Sequence, residues 1–205
     1  MIKKTLVTSL ALSLVLLAQG ANAALAVDTG TPDNTGSQIA VDSADWLAGQ
    51  VTFNQTYQVN SIAAYLDQLF PGGTDFNITL YTNTANNHVG SQLFSSTASF
   101  AGTGWNGASN LNWTVASGTY WIGLEVTDAQ GSNLIAPQYA TGTPLARTAI
   151  TSGNGYDSYQ SGPSAYQFGL RVDVAPVPEP TSVAMLIAGL GLMGVVGRRR
   201  KAFVN

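Results

Sequence analysis

Cysteine is absent from the 205 residues, which excludes a disulfide framework and every thiolate metal site. Stability must come from packing, which a domain of about 150 residues achieves by burying roughly 68 to 70% of the surface its unfolded chain exposes. Histidine occurs once, as His88. That count rules out a histidine-rich zinc site, and a Ser-His-Asp triad would have to run through this one residue. His88 lies in the turn-like Ala85-Asn86-Asn87-His88, and no G-x-S-x-G elbow accompanies it. An exposed loop histidine is the expectation. Charge is scarce as well, at 9% of residues against roughly 25% in an average soluble protein. With 45% hydrophobic residues, that scarcity points to a packed fold, because disordered chains combine low hydrophobicity with high net charge.

The few charges are unevenly placed. Between Ala24 and Pro176 there are two basic residues, Arg147 and Arg171, against ten acidic ones, a formal charge of −8. Phosphate neutralisation needs clustered Lys and Arg, so nucleic-acid binding is excluded as an expectation. The other basic residues stand at the two ends, as Lys3, Lys4, Arg198, Arg199, Arg200 and Lys201.

At the start, Lys3-Lys4, the apolar run from Leu6 to Ala18 and Ala21-Asn22-Ala23 form a charged n-region, an h-region and an A-x-A motif. This order predicts a secretory signal peptide over residues 1–23, cut by signal peptidase between Ala23 and Ala24. At the other end, Val177-Pro178-Glu179-Pro180 precedes an uncharged stretch from Thr181 to Gly197 and then Arg198-Arg199-Arg200-Lys201. As a helix that stretch is roughly 25 Å long, slightly short of a hydrocarbon core of about 30 Å. The basic cluster resists translocation and is expected to stop in the cytoplasm, leaving the preceding domain outside.

The ordered triplet of Pro178-Glu179-Pro180, Gly-rich apolar helix and terminal Arg cluster resembles the PEP-CTERM sorting domain over residues 177–205. The resemblance implies recognition and cutting near the Pro-Glu-Pro motif by an exosortase-like membrane protease. It also implies release to the surface or extracellular matrix of a bacterium that makes extracellular polysaccharide.

Residues 24–176 show a period of two. Tyr120, Ile122, Leu124 and Val126 alternate with Trp121, Gly123, Glu125 and Thr127, and Phe168, Leu170, Val172 and Val174 alternate with Gln167, Gly169, Arg171 and Asp173. Both read as half-buried strands. Looser signals cover Gln50–Phe53, Tyr57–Leu66, Phe76–Tyr81, Gln92–Phe100 and Leu111–Val115, with turn signals at Pro71-Gly72-Gly73, Asn86-Asn87, Gly102-Thr103-Gly104, Ser117-Gly118 and Gly153-Asn154-Gly155. The expectation is an all-β ectodomain, a β-sandwich or jelly roll, flanked by an N-terminal signal helix and a C-terminal transmembrane sorting helix.

Candidate chemistry in this domain is thin. Glu125 shares a strand face with Trp121, but no second acid accompanies it, and a solvent-facing structural role is expected. Asp28, Asp33, Asp42 and Asp45 supply oxygen donors without calcium-loop spacing, so no metal site is assigned. Trp105, within Gly104-Trp105-Asn106-Gly107, reads as a loop tryptophan able to bind glycan, while the other tryptophans read as core. No catalytic residue and no cofactor is assigned. The chain reads as a non-enzymatic exported surface or matrix protein associated with extracellular polysaccharide, the alternative being a carbohydrate-binding module.

Overall fold

A strand whose side chains alternate between apolar and polar buries one face and leaves the other wet, so the period-two segments should stack into sheets around one apolar layer. The computed structural model describes residues 24–33, 37–69, 75–126, 134–138, 142–151, 155–162, 166–177, 189–191 and 193. The described strands are β1 (Ala24–Asp28), β2 (Gln38–Val41), β3 (Leu47–Phe53), β4 (Tyr57–Gln68), β5 (Asp75–Asn83), β6 (Val89–Ser99), β7 (Gly104–Val115), β8 (Gly118–Glu125), β9 (Leu134–Pro137), β10 (Arg147–Thr151), β11 (Tyr156–Ser161) and β12 (Leu170–Pro176).

These strands make two sheets of six. Sheet 1 runs β1-β12-β4-β9-β2, with β7 also paired to β4, and sheet 2 runs β11-β10-β3-β8-β5-β6. Val59, Ile62 and Leu66 of β4 and Leu170, Val172 and Val174 of β12 share one buried cluster with Phe53, Ile78, Leu80, Ile122 and Leu124 from sheet 2. Each such side chain contributes roughly 1.5 to 3 kcal/mol on burial. The apolar layer between two sheets is the sandwich-like arrangement that the alternation predicts. All seven expected strand segments fall within or across β3 to β8 and β12.

Strand β8 departs from the expectation of a half-buried strand. Gly123 and Glu125, expected to meet solvent, are buried along with Trp121, Ile122 and Leu124. The cause is curvature in sheet 2. In register, Ala149 of β10 lies opposite Ala48 of β3, Ala48 opposite Gly123 of β8, and Gly123 opposite Thr79 of β5. This lateral row of small side chains leaves a trough on the outer face. Ala48, Trp121 and Ala149 form a second buried cluster there, with Tyr81, Tyr156 and Tyr159 packed against it. Tyr156 belongs to edge strand β11 yet reaches β8 and β5, so the sheet curls its edge over its own outer face.

Close backbone approach fixes the β4–β7 pair. A Cβ at Gly107 would lie 2.1 Å from the Ile62 carbonyl oxygen and 2.6 Å from Ala63 Cα. Both are main-chain atoms that cannot swing aside. Gly107→Ala is therefore expected to destabilise the domain by about 2 kcal/mol, as overpacking does, read as a lowered urea midpoint with unchanged m.

The signal peptide lies outside the described residues, as does most of the expected transmembrane stretch. Gly189–Gly191 and Met193 are helical, and among the described residues no helix is long and apolar enough to cross a membrane. The chain divides into two units, Met1–Ala175 and Pro176–Asn205.

Candidate functional site

Among the described residues, two side-chain clusters stand apart from the main core, one on the outer face of each sheet. On sheet 2 the centre is Glu125, only 6% exposed. Thr79 Oγ1 donates to its Oε2 at 2.9 Å, while the hydroxyls of Tyr81 and Tyr156 donate to Oε1 at 2.6 and 2.9 Å. No ion pair to Glu125 exists among the described residues. Its charge is held by three neutral hydroxyls, the arrangement in which hydrogen bonding offsets the cost of a buried carboxylate. Gly123 is part of the design, because a Cβ there would sit 2.4 Å from the Tyr156 hydroxyl and 2.8 Å from Glu125 Oε1.

Burial, reinforced by the adjacent carboxylate of Glu125, pushes the Tyr81 and Tyr156 hydroxyls well above the ordinary tyrosine range. Around them the polar groups are closed on one another. Asn83 Oδ1 accepts from Trp121 Nε1 at 2.8 Å and from Gln50 Nε2 at 3.0 Å. His88, exposed in its loop as expected, stacks flat on Tyr159 with ring centroids 4.0 Å apart. The Tyr159 hydroxyl donates to the Tyr156 carbonyl and accepts from Val89 N–H, tying β11 to the start of β6. Sequence reasoning missed this cluster. Its available signal was the pair Tyr156 and Tyr159 in a six-residue edge strand, a spacing that does not alternate and so was not read as a strand.

On sheet 1 the centre is Trp105, which lies in strand β7 and not in a loop. The turn ends one residue earlier than its glycines suggest, because buried Asn106 folds back on it: Oδ1 accepts from Ala101 N–H, and Nδ2 donates to the Gly102 and Gly104 carbonyls. Trp105 pairs in register with Tyr65, the rings meeting edge to face at 5.7 Å. The Arg171 guanidinium lies 3.9 Å over the indole, and its Nε donates to Asp28 Oδ1 at 3.2 Å. Gly169 permits the stack, since a Cβ there would lie 2.5 Å from Tyr65 Cβ and 3.3 Å from Trp105 Cη2.

Asp28 and Asp42, two of the acidic residues read as scattered donors, are engaged at different places. Asp28 accepts from Gly30 N–H and Arg171, and Asp42 Oδ1 accepts from Ala44 and Asp45 N–H at 2.7 and 2.9 Å. Burial, with the Asp42 charge adding to it, raises the Asp45 carboxyl above its usual range. No group of three or more His, Asp or Glu suited to a metal ion occurs among the described residues.

Of the residues assigned to export, Ala24 is the first of β1 and lies opposite Val174 of β12. Ala21, Ala23, Pro178, Glu179, Pro180, Arg198, Arg199, Arg200 and Lys201 lie outside the described residues. Comparison with known families decides the tail. Residues 176–201 carry the PEP-CTERM protein-sorting motif. The PEP-CTERM motif marks an exosortase substrate, and with it export, processing at the membrane and sorting to the cell surface. Strand β12 ends at Pro176, so the PEP-CTERM motif begins on the last residue of the sandwich. No curated protein matches the chain.

Proposed function

We propose that the protein is a non-catalytic surface or matrix component, delivered by its PEP-CTERM tail and associated outside the cell with extracellular polysaccharide. The observation that carries this reading is the motif itself, placed directly after a sandwich-like domain. Support for a non-catalytic role comes from the way the candidate acid is used. Glu125 has its oxygens occupied by hydroxyl donors and is buried from any substrate, whereas a general acid or base must reach the atom it serves.

The experiment that tests the reading replaces Pro178-Glu179-Pro180 with Gly-Ser-Gly in a host that processes such tails. The wild type should appear mainly as a shorter form lacking the apolar stretch. The variant should accumulate in the inner membrane at full mass, because the apolar stretch and Arg198 to Lys201 still direct insertion. Equal mass and equal membrane retention in both would reduce the motif to a linker. Loss of the processed wild type from the polysaccharide fraction would overturn the matrix assignment alone.

A second reading, a carbohydrate-binding module, is favoured by one feature: Trp105, Tyr65 and Arg171 meet on the outer face of sheet 1, with Arg171 and Asp28 each 35% exposed in their side chains. Aromatic and charged groups presented together on a sheet face are the materials from which oriented hydroxyl recognition is built.

A further inference from the structure

Arg171 is one of only two basic residues between Ala24 and Pro176, and its setting is unusual for a surface arginine. Contact with the Trp105 ring, 3.9 Å from Cζ to the centroid, and the bond from Nε to Asp28 together restrain the guanidinium. An exposed arginine otherwise loses about 2 kcal/mol of rotamer entropy when a ligand immobilises it. Here that cost is already met within the fold. Nε is occupied, but among the described residues Nη1 and Nη2 make no hydrogen bond. The fork is held in place with its outer donors unused.

The surface beside it is low. In register along β4 and β7, Tyr65 lies opposite Trp105, Ala63 opposite Gly107 and Ser61 opposite Ser109. Gly107 and Ser109 are exposed, and Asp173, next to Arg171 on the same face of β12, is hydrogen-bonded to Ser61. Moving away from Trp105, the face therefore offers a flat floor of small residues flanked by donors from Arg171 and acceptors from Asp173. Because the guanidinium covers one face of the indole, Trp105 acts by holding Arg171, and the direct contacts fall to Arg171 and Asp173.

We propose that this shelf binds a neutral glycan, its hydroxyls accepting from Arg171 Nη1 and Nη2 and donating to Asp173 while the sugar ring lies over Ala63 and Gly107. The proposal rests on the carbohydrate-binding reading and adds to it the ligand's charge and the residues that read it. Charge selects the neutral ligand. Arg171, Asp28 and Asp173 sum to −1, within a region of formal charge −8, so a polyanionic chain is repelled at long range. A neutral sugar presents hydroxyls that donate and accept at once, matching a face that offers both.

The test is calorimetric titration of the full chain in detergent with neutral hexasaccharides of β-1,4-glucose, β-1,4-mannose and α-1,4-glucose, and with hexamannuronate. Saturable binding of at least one neutral probe is expected, weakened about tenfold or more by Arg171→Lys, which keeps the charge but loses the stacked fork. Ser109→Tyr, an exposed change that fills the floor without touching the core, should weaken it similarly at an unchanged melting temperature. Failure of every neutral probe to bind, binding of hexamannuronate alone, or binding indifferent to both substitutions would each overturn the proposal. The sorting experiment on Pro178-Glu179-Pro180 is unaffected by any of these outcomes.

Discussion

Replacing Glu125 with alanine should destabilise the domain by about 2 to 4 kcal/mol, whereas replacing it with glutamine should cost within about 1 kcal/mol. The difference comes from what each change leaves behind. Alanine removes the acceptor for Thr79, Tyr81 and Tyr156 at once. Tyr81, half-buried, recovers a partner from water and Thr79 Oγ1 keeps Ser95 Oγ at 3.1 Å, but the more deeply enclosed Tyr156 hydroxyl is left without one. An unsatisfied buried hydroxyl costs roughly 1 to 3 kcal/mol, and a void where the carboxylate stood adds to it. Removing the remaining desolvation cost of a buried carboxylate with no ion-pair partner gives some of this back, which keeps the expected total below the simple sum. Glutamine keeps Oε1 for the two tyrosines, and its amide can donate to Thr79 Oγ1 if that hydroxyl turns its proton to Ser95 Oγ, 3.1 Å away. Urea unfolding of both variants at neutral pH reads the two values. Alanine and glutamine variants of equal stability would show that the charge, and not the acceptor geometry, holds the trough together.

Alkaline pH should unfold the domain through the same cluster. Tyr81 and Tyr156 hold their protons well above the ordinary value in the folded state, because burial and the neighbouring Glu125 oppose a second negative charge. In the unfolded chain both titrate near about 10. Below that pH neither state loses the proton, and the full stabilisation is present. Above it the unfolded state binds fewer protons than the folded one, so stability falls as pH rises. Tyr156 alone gives a slope of about 1.4 kcal/mol per pH unit, to which the half-exposed Tyr81 adds a smaller part. The urea midpoint should therefore be flat between about pH 7 and 9.5 and drop steeply beyond. Tyr156→Phe should flatten that drop while lowering stability at neutral pH, because Glu125 loses a donor. A midpoint unchanged up to pH 12 would contradict the burial of these hydroxyls.

The strands that sequence reveals best are those whose two faces differ. Strand β12 puts Leu170, Val172 and Val174 in the core and Arg171 and Asp173 outside, so its period survives in the sequence. Strand β8 has two buried faces, and Glu125 and Gly123 looked like solvent-side residues because polarity and smallness usually mean exposure. Their burial depends on Tyr156, more than thirty residues away, and on curling that no local pattern encodes. Strands β1, β2 and β9 are four or five residues long, too short to establish a period. Trp105 reads as a loop residue for a related reason: the glycines around it mark close backbone approach as well as bends, and only Gly102 and Gly104 have the positive φ of a turn. By contrast, the tail was legible because its parts are linear and contiguous, so no fold is needed to bring them together.

The pairing of the first and last strands has a consequence for the order of events in export. Ala24 lies opposite Val174 and Asp28 opposite Arg171, with β12 seated between β1 and β4. A chain threaded through a membrane N-terminus first presents β1 at once and β12 last, after every other strand has crossed. Until then β1 has no neighbour, and β4 lacks the strand that should cover one of its sides. Closure of the sandwich is thus deferred to the end of translocation, as one late step that joins the most distant parts of the chain. Such non-local pairing places folding on the slow side, in roughly the millisecond-to-second range. The sorting motif follows at once, since Pro178 comes only two residues after the end of β12. The strand that completes the sheet and the motif that directs sorting are thus neighbours in the chain, the last parts of it to cross.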